Sequence, residues 1–142
     1  MPATILALAD AVVEQLNATA FSQPLVAVRH YQPVFELSEM TELRVSVVPR
    51  SVASKALDRN RDAFDYRIDV AVQRKIEPTA GNLDALMELV EEIADHFRSH
   101  PLAGFPQARC TEVANEPVYA MEHLEEFRQF TSVLTLTFKV WR

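Results

Sequence analysis

A chain of 142 residues, 49% apolar and 24% charged, has the length and mix of one globular domain that can close a core without staples. Its formal net charge of −6 disfavours general binding to a nucleic-acid backbone, which needs Lys and Arg to replace counterions. One cysteine, Cys110, excludes an intrachain disulfide and suits a reducing compartment. No basic segment leads into an apolar one at the N-terminus, and no apolar run has spanning length, so a soluble intracellular product is expected.

Thr4–Leu16 sets Ile5, Leu8, Ala9, Val12, Val13 and Leu16 on one helical stripe opposite Asp10, Glu14 and Gln15, with Thr4 as N-cap and Asn17 as stop. Leu25–Phe35 is rich in β-formers between Pro24 and Pro33, and Pro33 suggests an edge or a bulge. Leu43–Val48 reads as a short strand closed by Pro49. Ser51–Ala63 is polar, mixed in charge and without a period, which predicts a mobile loop. Phe64–Ile76 alternates, with Tyr66, Ile68, Val70 and Val72 inward and Asp65, Arg67, Asp69 and Gln73 outward.

Pro78–Asn82 breaks the pattern before a second helix, in which Leu83, Leu86, Met87, Val90, Ile93, Ala94 and Phe97 recur at helical spacing. His100–Pro106 reads as a loop, Thr111–Tyr119 as a short strand and Met121–Glu126 as an acidic turn. Phe130–Arg142 alternates to the last residue, with Phe130, Leu134, Leu136, Phe138 and Val140 on one face and Ser132 as the polar exception. Such a strand spans roughly 40 Å, against a domain diameter of about 37 Å. It crosses the domain or overhangs it, and an overhanging edge invites pairing with another chain. The expected fold is α+β, one domain over residues 1–142, with two helices on one face of a mainly antiparallel sheet in the order α-β-β-β-α-β-β.

Chemistry-bearing motifs are scarce. Two glycines, Gly81 and Gly104, leave no Gly-rich phosphate cradle. His96 and His100 are four apart and near Asp95, as a metal pair could be, but His100 precedes Pro101 and fits better past the helix end. Glu91, Glu92 and Asp95 could pair for acid–base work, yet a solvated helix face explains them more simply. Cys110 has no local nucleophile signature and reads as small apolar filler. Arg59, Asn60 and Arg61 could touch phosphate, but interleaved Asp58 and Asp62 compensate them. Trp141 and Phe138 could stack on bases, but they point to opposite faces. No catalytic, cofactor-binding or metal-binding residue is assigned, and a non-enzymatic, self-associating subunit is expected.

Several phrases together resemble the tail terminator (tail completion, neck) proteins of long-tailed bacteriophages. They are VRHYQP (Val28–Pro33), LRVSVVP (Leu43–Pro49), FDYRIDVAVQRKI (Phe64–Ile76), LDALMELVEEIADHFR (Leu83–Arg98), NEPVY (Asn115–Tyr119) and EHLEEFRQFTSVLTLTFKVWR (Glu122–Arg142). The resemblance implies a structural virion protein, assembled in the host cytoplasm as a hexameric ring. Such a ring would cap the tail tube protein, stop polymerisation and join a head-side connector or stopper. DNA would pass through its lumen unbound, and the carboxylates of Asp84–Asp95 and Glu112–Glu126 would be candidates to line it. Alternatives are another neck protein (head-completion, stopper or sheath-capping) or a small ligand-binding α+β domain. The resemblance transfers no catalytic residue and no membrane contact.

Overall fold

The computed structural model describes residues 3–31, 43–75, 80–116 and 118–142. The elements are α1 (Thr4–Ala18), β1 (Val26–Arg29), β2 (Arg44–Ala56), β3 (Asp62–Lys75), α2 (Ala80–Ser99), β4 (Arg109–Asn115), α3 (Met121–Phe127) and β5 (Gln129–Trp141). The five strands form one sheet in the order β1-β2-β3-β5-β4. β1 runs parallel to β2, and every other pair is antiparallel. This is the expected α+β arrangement of two long helices on a mainly antiparallel sheet. The seven-residue α3 replaces the expected acidic turn. Pro33 and the second half of the expected first strand, together with Ile76 and Pro78, lie outside the described residues.

One alternation builds the core. Tyr66, Ile68, Val70 and Val72 of β3 and Phe130, Leu134, Leu136, Phe138 and Val140 of β5 are all buried, facing Leu8, Val12 and Leu16 of α1 and Leu86, Leu89, Ile93 and Phe97 of α2. Each large side chain so buried contributes about 1.5–3 kcal/mol. The polar exception, Ser132, accepts a hydrogen bond from Asn115 Nδ2 at 2.9 Å. That satisfies a hydroxyl that would otherwise cost stability in the core.

Three expectations are corrected. First, Phe130–Arg142 does not form an overhanging edge. β5 pairs with β3 from Gln129 to Trp141 and with β4 on its other side, so it lies inside the sheet. Second, Ser51–Ala63 is not a loop. β2 continues to Ala56, β3 starts at Asp62, and Leu57 N and Asp58 N both donate to Arg61 O, at 3.2 and 3.3 Å, closing a hairpin. Backbone pairing to β3 overrides the polar composition there. Third, Gln73 lies on the outward face as expected, but it is fully buried there, as are Ser46 and Gln129, with Thr131 nearly so.

The helix ends also differ in detail. Ala3 rather than Thr4 is the N-cap of α1, and it makes no side-chain cap bond. α1 runs one residue past Asn17, whose side chain pairs with the Ala27 backbone instead. Its Oδ1 accepts from Ala27 N at 2.8 Å and its Nδ2 donates to Ala27 O at 3.1 Å. Asn17 thereby ties α1 to the edge strand β1. Arg128 takes a φ of 49°, the left-handed residue that turns α3 into β5.

Candidate assembly edges

With β5 inside, the free edges belong to other strands. β1 covers β2 only along Arg44–Val47, so among the described residues Val48–Ala56 has no partner on its outer side. β4 is the opposite edge of the sheet. The registers put these two edges level. Val48 lies in one row with Asp69, Thr135 and Ala114, and Ser51 in one row with Arg67, Thr137 and Glu112. Ala53, Asp65, Lys139 and Arg109 form a third. Because β2 and β4 run in opposite directions, a second copy in the same orientation would present its β4 antiparallel to this β2.

Both edges are bent by bulges, between Pro49 and Ser51 in β2 and between Cys110 and Glu112 in β4. Bulges at edges re-aim side chains and restrict indiscriminate pairing. Val47 O accepts from His30 N at 2.9 Å on the outer side. Pro49, two residues on, has no N–H to offer there, so pairing to another strand would start beyond it.

The face of the sheet away from α1 and α2 carries a cleft of about 410 Å³ lined by Arg50, Arg67, Glu112, Glu116, Thr135 and Thr137, with Ala114. Arg50, at the β2 bulge, reaches Asp69 at 3.4 Å and Thr135 Oγ1 at 3.1 Å. Thr135 Oγ1 in turn donates to Asp69 at 2.8 Å. Within this cleft the arginines come from β2 and β3 and the glutamates from β4 and the residue just past it, and Arg50 is already paired with Asp69 of β3. The sequence contains each of these residues, but nothing in its spacing shows that bulges place Arg50 and Glu112 on one face.

The residues singled out by sequence are scattered. His96 and His100 stack with centroids 4.5 Å apart. His96 Nε2 is bonded to Gln15 Nε2 at 2.9 Å, and His100 Nδ1 to His96 O at 3.1 Å, past the end of α2 as expected. Among the described residues no group of three or more His, Cys, Asp or Glu is arranged to hold a metal. Glu91 and Asp95 are exposed. Asp95 pairs with Arg98 at 2.9 Å, and Glu92 accepts from Ser22. Cys110 is half-buried, and burial pushes its thiol up from 9.0, the opposite of nucleophile activation. Arg59 and Arg61 sit at the exposed hairpin tip, and Trp141 and Phe138 point to opposite faces, exposed and buried. The side chain of His123 lies outside the described residues. No described helix is long and apolar enough to cross a membrane.

No family model matches the chain. It is similar to glutamyl-tRNA reductase of Syntrophus aciditrophicus (strain SB), with 41% identity over 80 residues, 51% of this chain and 19% of that protein. The chain thus spans about a fifth of the relative's length. This likeness overturns the tail-terminator resemblance and the virion role drawn from it, because the relative is a metabolic enzyme and not a phage neck protein. The resemblance rested on strand and packing phrases, which recur wherever a helix packs on an alternating strand. An enzyme as relative gives no support to the expectation of a non-enzymatic chain, and a match over this share assigns no activity to it.

Proposed function

We propose that this chain is a self-associating module whose copies extend one another's sheets head to tail, β2 of one against β4 of the next, within a metabolic protein. The observation that carries the reading is the pair of unlike edges left unpaired among the described residues, level in register and antiparallel in direction. Contacts between unlike surfaces propagate or close according to the rotation between copies. The placement of arginines and glutamates in the cleft supports the same geometry. A neighbouring β4 would bring Glu112 and Glu116 beside Arg50, a cross-strand pairing of opposite charges. The partial likeness to glutamyl-tRNA reductase supports the metabolic setting.

Native mass spectrometry and sedimentation of the purified chain over a wide concentration range test the reading. Concentration-dependent oligomers are expected. A strict monomer at every attainable concentration ends it.

A further inference from the structure

We infer that the hollow between α1, the end of α2 and the loop after it binds a small apolar molecule carrying one protonated amine. The hollow measures about 440 Å³, in the range of pockets that take small organic ligands. Ala11, Ala18, Pro101 and Ala103 line much of its wall. At Gly104 an added Cβ would lie 3.3 Å from Ala11 Cβ and 3.4 Å from Glu14 Oε2. The loop therefore approaches α1 closely, and the Glu14 carboxylate borders the space.

The other polar groups are engaged with one another. Gln15 Oε1 accepts from Ala103 N at 2.9 Å, while its Nε2 donates to Pro101 O at 3.1 Å and to His96 Nε2 at 2.9 Å. Thr19 Oγ1 donates to Gln15 O at 2.7 Å. An amide donor on Nε2 requires that His96 nitrogen to be unprotonated, and burial with His100 alongside keeps the ring below its ordinary 6.5. His96 and His100, stacked flat on each other, complete the wall. Among the described residues Glu14 is left as an anion without a hydrogen-bond or salt-bridge partner. Small apolar walls take an apolar body, and a lone carboxylate beside them selects a cationic head over a neutral or anionic one.

The test is NMR titration of the His96 and His100 ring signals with benzylamine, alongside benzyl alcohol and benzoate, in the wild-type chain and in Glu14→Gln and Ala18→Phe. Both substitutions fall on exposed positions of α1, so the fold is retained. Saturable shifts with benzylamine are expected, with affinity about tenfold lower in Glu14→Gln. Benzyl alcohol and benzoate should bind more weakly by a similar factor, and Ala18→Phe should abolish the response. Absence of saturable shifts, unchanged affinity in either variant, or benzoate binding as tightly as benzylamine overturns the assignment.

Discussion

The guanidinium of Arg142 lies 4.4 Å from the centre of the Phe64 ring, and its Nη2 donates to Tyr66 Oη at 3.2 Å. The backbone bonds in both directions to Asp62, Arg142 N to Asp62 O at 2.9 Å and Asp62 N to Arg142 O at 2.7 Å. The end of β5 is thus stitched to the start of β3. Arg142→Ala leaves those backbone bonds and removes the cation–π and side-chain contacts, with an expected cost of about 1 kcal/mol. Phe138→Ala, two steps of the alternation inward and buried, is expected to cost about 3–5 kcal/mol. Urea denaturation of both variants checks the order, and an Arg142→Ala loss as large as that of Phe138→Ala would contradict it.

The hairpin tip depends on one carboxylate. Asp58 Oδ1 accepts from Asn60 N at 2.8 Å and from Arg61 N at 2.9 Å, and these backbone bonds hold its carboxyl below the usual 3.8. Asp58→Ala is expected to speed amide hydrogen exchange at Asn60 and Arg61, while core amides of β3 stay protected. In Asp58→Asn the side-chain oxygen still accepts, so exchange should fall between the two. The sign for acid follows from the lowered value: the carboxylate's contribution is complete above the ordinary range and is lost as pH falls through the folded one.

The helices and the two central strands were legible because burial there enforces periods of 3.6 and 2. Tyr66 through Val72 and Leu134 through Val140 alternate in the chain as they do in the sheet. The hairpin was not legible. Ser51–Ala63 has few apolar side chains because it extends beyond the helix layer, where Val52 and Leu57 are about half exposed. Its strand character comes from backbone pairing to β3, which leaves no hydrophobic period. The position of β5 was hidden for another reason. A strand's alternation reports its two faces and says nothing about its two edges, so an inner strand and an overhanging one read alike. The same gap concealed which strands form the sheet's edges, which depends on where β1 and β4 stop.

His96 links pH to the clamp on the loop after α2. Its lowered value means that the fold favours the neutral ring. The unfolded chain then takes up the proton first as pH falls. The contribution of His96 to stability is complete above the ordinary 6.5 and is lost as pH drops through the lower folded value. Denaturation midpoints measured from about pH 8 to about pH 5 should therefore fall more steeply for the wild type than for His96→Gln. Gln15→Ala should weaken the fold across that range by about 0.5–1.5 kcal/mol, since it removes the side-chain bonds to the Ala103 N–H and the Pro101 carbonyl. Parallel pH curves for wild type and His96→Gln would show that this ring carries none of the linkage.

The assembly geometry makes a prediction that a general stickiness does not. In a head-to-tail sheet, Arg50 of one copy stands beside Glu112 of the next, although within one chain β3 and β5 separate β2 from β4. Arg50→Glu and Glu112→Arg should each put like charges side by side and weaken association. Exposed cross-strand pairs are worth about 0.2–1 kcal/mol, so the loss per interface should be modest and should shrink at high salt. The double variant restores opposite charges with their positions exchanged, and it should recover most of the wild-type oligomer in sedimentation experiments. Arg50→Glu also faces Asp69 within its own chain, so thermal melts of each variant are needed to separate loss of fold from loss of contact. Single variants that associate like the wild type, or a double variant no better than either single, would mean that these two edges do not meet.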